Sequence, residues 1–133
     1  MPLWAQQNVD DIVLVTSANS DVAPLSSLDM RKIFLGLPVT QDSGALEAFL
    51  FRQNQQMHEV FLQTVVGMTS RSYDRKVLQT RLSFGAELVE NFSDLEALTE
   101  ALNAEYNSVS FMSHADANNQ GLVVIQILWQ NQD

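Results

Sequence analysis

The chain has 133 residues, 46% of them apolar and 17% charged, a composition that suits one packed domain burying about two thirds of the surface its unfolded chain exposes. Its formal charge is −9, with seven basic residues that form no block against sixteen acidic ones, which excludes a nucleic-acid backbone as partner. No cysteine is present, so disulfides, thiolate metal sites and cysteine nucleophiles drop out, and no apolar run is long enough for direct membrane insertion.

Residues 1–133 read as a single domain whose first ten residues are a disordered start or the remnant of a secretory signal cut near Ala5. Ile12 to Val15 is a continuous apolar run, the pattern of a strand buried on both faces as in a parallel sheet. A polar loop, Thr16 to Pro24, follows. Ser26 with Asp29 three residues on marks a helix start, and Leu25 with Met30 is spaced as a hydrophobic staple. Met30, Ile33, Phe34 and Leu37 then keep helical spacing until Gly36 and Pro38 stop it.

After a turn at Asp42–Gly44, the apolar stretch Ala45 to Phe51 predicts a strand. Met57, Val60, Phe61, Thr64, Val65 and Met68 form one helical stripe ending at Gly67. Thr69 or Ser70 caps a third helix with Tyr73, Val77, Leu78 and Leu82 inward, closed by Gly85. Ser93 and Glu96 form a capping box for a fourth helix, with Leu95, Leu98, Ala101 and Leu102 inward. Strands around Val109–Met112 and Leu122–Leu128 complete the order. This predicts an α/β three-layer sandwich, a largely parallel mixed sheet covered by helices.

Motif chemistry is sparse. The five glycines fall at turns and helix ends, so there is no P-loop or dinucleotide fingerprint. Two histidines, His58 on the polar side of its helix and His114 in a loop, read as surface residues and are too few for a metal site. Asp10–Asp11 and Glu87/Glu90 read as solvated ends of elements, and no Gly-x-Ser-x-Gly elbow occurs. No enzyme, cofactor or metal is expected.

The run "LSSLDMRKIFLG" (25–36), preceded by an apolar strand and Asn19, leads on to Arg52, Phe61, Gly67–Met68, Tyr73 and "RLSFG" (81–85). This order resembles the substrate-binding proteins of phosphate ABC transporters, and more closely the short, single-lobe members of the type 2 periplasmic-binding-protein superfamily. The resemblance runs from about Asp11 to Trp129. It implies a non-enzymatic solute-binding module, periplasmic or secreted, that takes phosphate or a similar oxyanion for uptake or sensing with a membrane transporter or sensor protein. Three stretches depart from the pattern. Leu37–Gln41 lacks a tryptophan, Gln53–Gln56 replaces a loop rich in Ser, Gly and Thr, and Asn107–Phe111 replaces a Pro-Gly-Ala-Ile-Gly-Tyr stretch.

The position of the family's anion loop is "FRQNQQMH" (51–58). There Arg52 offers a bidentate contact, Asn54 a helix cap, and Gln53 and Gln55 amide donors beside the free N–H groups of a helix start. Ser17, Asn19 and Ser113 lie on loops that are taken to face the same edge. The alternative is a protein–protein interaction module that kept the fold and lost the anion site, its turn merely solvated.

Overall fold

The computed structural model describes residues 10–85 and 89–130. The expected start at 1–10 thus lies outside the described residues except for Asp10, as does Glu87. Strands β1 (Ile12–Thr16), β4 (Glu47–Phe51), β5 (Glu90–Phe92), β6 (Ser108–Ser113) and β7 (Val123–Trp129) form one sheet in the order β5-β4-β6-β1-β7. A hairpin of β2 (Thr40–Gln41) and β3 (Gly44–Ala45) stands apart. The helices are α1 (Ser27–Phe34), α2 (Gln55–Phe61), α3 (Ser70–Phe84), α4 (Leu95–Ala104) and α5 (His114–Asn119), with α2 continued by a π-helical stretch at Leu62–Val66.

Strand β4 is parallel to β5 and to β6, whereas β1 is antiparallel to both of its neighbours, β6 and β7. Four strands therefore run one way and β1 alone runs back between them, so the sheet is mixed and largely parallel, as expected. The orientation of β1 itself is a correction. Its full burial goes with a position between β6 and β7, which an antiparallel strand can also occupy. Buried serine and threonine hydroxyls are tied within the sheet: Thr16 Oγ1 donates to the Ser108 carbonyl at 2.7 Å and Ser110 Oγ to the Phe49 carbonyl at 2.8 Å.

Local signals set most helix ends. Ser26 Oγ accepts from the Asp29 N–H at 3.1 Å, with Leu25 and Met30 buried as the staple. Thr69 caps α3, accepting from the Ser72 N–H at 3.3 Å. The cap of α4 is Asp94 rather than Ser93, its carboxylate accepting from the Ala97 N–H at 3.0 Å. A carboxylate is the stronger acceptor and suits the positive helix end. Asp94→Ala is accordingly expected to cost about 1 kcal/mol in denaturant unfolding and Ser93→Ala almost nothing; equal losses would return the cap to Ser93.

Two stripes differ from expectation. The π-helical stretch holds an extra residue in its turn, so Val66 instead of Thr64 faces the core, and Gly67 closes it at φ 79°, donating to the Leu62 carbonyl. On α3, Tyr73, Val77 and Thr80 turn inward while Leu78 and Leu82 are 56% and 77% exposed. At about 100° per residue, Leu82 points away from Tyr73. The hairpin, β5 and α5 were not expected. β5 is three residues of mixed polarity held by pairing with β4, and α5 buries only Ala117.

The core centres on three rings. Phe61 of α2 stacks on Phe111 of β6 with centroids 3.6 Å apart, and Phe34 of α1 meets Phe61 edge-on at 4.8 Å. The buried Tyr73 hydroxyl donates to the Phe34 carbonyl, fastening α3 to α1. Burial raises its phenol pKa beyond the ordinary range.

Candidate functional site

Phe51 ends β4 inside the core, and the chain turns sharply before α2. The Arg52 N–H donates to the Phe92 carbonyl at 2.8 Å, fixing the turn to β5. Asn54 then caps α2, its side-chain oxygen accepting from the Met57 N–H at 3.0 Å. The Gln55 and Gln56 N–H groups precede any intrahelical acceptor and form the outward-facing first turn.

The side chain of Arg52 is 31% exposed. Its Nη2 pairs with Asp74 Oδ1 of α3 at 2.8 Å, while its Nε is buried with no hydrogen-bond partner. A guanidinium carries five donors, so the Asp74 contact leaves part of the fork uncommitted. Gln53 is exposed, and Gln55 Nε2 reaches Glu59 Oε1 at 3.4 Å. Arg52, Gln53, Asn54 and Gln55 thus form one contiguous turn.

Ser17 and Asn19 are not brought to that turn. Thr16 pairs with the start of β6, and Ser20 Oγ accepts from the Asn107 N–H at 3.0 Å, which places the loop after β1 at the beginning of β6. Arg52 lies beyond the end of β4, which runs parallel to β6, so the two loops stand at opposite ends of the sheet. Ser17 is buried, with its hydroxyl 3.1 Å from that of Ser20, and Asn19 is exposed. Ser113, at the end of β6, is on the Arg52 side, but its hydroxyl caps α5 by accepting from the Asp116 N–H.

His58 is a clear correction. It is fully buried, its ring 6.3 Å from that of Phe111, and neither ring nitrogen completes a hydrogen bond. Burial, and then the Arg52 charge, pushes its pKa down to about 4, against the opposing pull of Glu59, Asp74 and the Phe51 carbonyl. The imidazole at neutral pH is uncharged, packed directly behind the turn. His114 begins α5, and among the described residues no group of three or more His, Cys, Asp or Glu is placed to hold a metal ion.

A groove of about 180 Å³ opens between α3 and the β4–β5 edge, with Arg52 and Asp74 on its wall. Sequence reasoning missed it, because it joins residues from three separate elements.

A helix-covered five-stranded mixed sheet with β1 reversed between β6 and β7 is the fold of the described residues. Two crystal structures share it: an ABC-type phosphate transport receptor from Vibrio cholerae (12% identity, TM-score 0.58, covering 88% of this chain and 46% of that one) and PstS from Borrelia burgdorferi (13% identity, TM-score 0.58, covering 92% and 48%). The likeness is one of fold, and this chain spans just under half the length of either receptor. No protein-family model and no curated protein matches the sequence. Among the described residues no helix is long and apolar enough to cross a membrane.

Proposed function

We propose that this chain is a non-enzymatic solute-binding module that takes phosphate or a similar oxyanion at the Arg52–Gln55 turn, in the periplasm or outside the cell, for a membrane transporter or sensor. The observation that carries this reading is Arg52. Its guanidinium sits at the end of a core strand, held by Asp74 through Nη2 alone and 31% exposed, so the accessible part of its fork keeps donors uncommitted. Such donors suit an incoming oxyanion, and the first-turn N–H groups of α2 add partial positive charge beside them. A single lobe leaves the ligand facing water, where each charged contact is weak, so tight binding needs a second surface to close over it.

The test is thermal unfolding against phosphate, sulfate, nitrate and chloride at matched ionic strength, with Arg52→Ala alongside. An anion at 100 times its dissociation constant stabilises by about 2.7 kcal/mol. The expected result is an anion-selective rise in melting temperature that Arg52→Ala removes. A flat response in both proteins would favour the second reading, an interaction module, for which the exposed Leu82 and Phe84 of α3 speak.

A further inference from the structure

The groove beside Arg52 has a polarity that inorganic phosphate does not match. Its floor is hydrocarbon: Leu50, Tyr73 and Val89 are buried there, Val77 is half-buried, and Leu78 stands as an exposed outer wall. Among the described residues the charged groups of the groove are Arg52, Asp74 and Arg81, the last two turns beyond Asp74 on the same side of α3. Arg81 makes no ion pair among the described residues. Among the described residues, two guanidiniums against one carboxylate leave a single net positive charge. A phosphate ion, hydrated on every side, would lose water against Leu50 and Val77 with nothing to replace it.

We propose that the groove takes a small organic monoanion: a carboxylate whose oxygens lie at Arg52 and Arg81 and whose compact apolar body lies on Leu50, Val77 and Val89. This rests on the reading of Arg52 as an oxyanion-binding residue and names the ligand class for it. The size agrees, since a cavity of about 150 Å³ accommodates a benzene ring and this groove offers about 180 Å³. The assignment also gives Leu78 a role: its 56% exposure makes it a wall against which the ligand's apolar face packs.

The experiment is an NMR titration of the labelled whole chain with benzoate, acetate, benzyl alcohol, phenyl phosphate and inorganic phosphate, reading amide shifts at Leu50, Val77, Leu78 and Val89. Benzoate is expected to bind at least about tenfold tighter than acetate, from the apolar area its ring buries, and tighter than phenyl phosphate or benzyl alcohol. Leu78→Ser, at an exposed position that leaves the core intact, should weaken benzoate and leave acetate unchanged. Arg81→Gln should weaken both. If benzoate binds no tighter than acetate, or benzyl alcohol or phenyl phosphate matches it, the ligand class is wrong. If phosphate alone binds, in an Arg52-dependent way, this inference fails and the oxyanion reading stands. If no anion shifts any of these amides, this inference fails, and the oxyanion reading fails with it where the Arg52 to Gln55 amides are also unmoved.

Discussion

Lowering the pH from neutrality to about 4 is expected to remove about 3 kcal/mol of folding stability through His58 alone. The ordinary imidazole pKa of 6.5 holds for the unfolded chain, while burial and Arg52 hold the folded value at about 4. Between those values the unfolded chain binds a proton that the folded chain does not, so stability falls as pH falls through that window and levels off below it. Above pH 6.5 the residue is neutral in both states and contributes no slope. His58→Leu should flatten the pH dependence between 6.5 and 4.5. It should also raise stability at neutral pH by about 1–2 kcal/mol, because two buried nitrogens without partners are removed. Urea unfolding of both proteins across this range decides the matter. Parallel curves would mean that His58 takes up its proton in the folded state without penalty.

The second large effect is expected at Phe111, which is fully buried and stacks on Phe61. Truncation to alanine removes the ring that joins β6 to α2, and should cost about 3–5 kcal/mol. Phe111→Leu keeps most of the volume and should cost about 1.5 kcal/mol. A double-mutant cycle with Phe61→Ala should show coupling of about 0.5–1.5 kcal/mol, the share owed to ring geometry beyond area. A loss at Phe111→Ala no greater than that at Phe111→Leu would show that the cluster collapses around the gap and that the stack adds little. The ring also backs His58, so Phe111→Ala should lessen the acid sensitivity by letting water reach the imidazole.

How far the residues announce these features depends on the range over which each is determined. The caps of α1 and α3 depend on contacts three residues apart, and both were legible. The α4 cap missed by one position because Ser93 and Asp94 are both good acceptors and only the backbone path separates them. The α/β class followed from the order of elements, with Arg52 at the end of its strand. His58 did not declare itself, because it lies one residue beyond Met57 and a polar side chain there reads as the edge of the wet face. The inward face of that helix is wider than its stripe and includes Met57, His58, Phe61 and Leu62. Ser17 and Asn19 went astray for a different reason. An apolar run such as Ile12–Val15 is the same in either direction, and only its partners decide at which end of the sheet its following loop emerges.

The reversed β1 also bears on when the protein folds. Its partners on both sides, β6 and β7, are the two described strands furthest from it in sequence, whereas β4 can take β5 as soon as residues 90–92 exist. During synthesis Ile12 to Thr16 therefore wait for one neighbour until Ser108–Ser113 has left the ribosome and for the other until Val123–Trp129 has. Closing so long a loop is slow, because its entropy is lost before any contact repays it. Over that interval the nascent chain is at its most aggregation-prone and offers a chaperone its clearest binding segment.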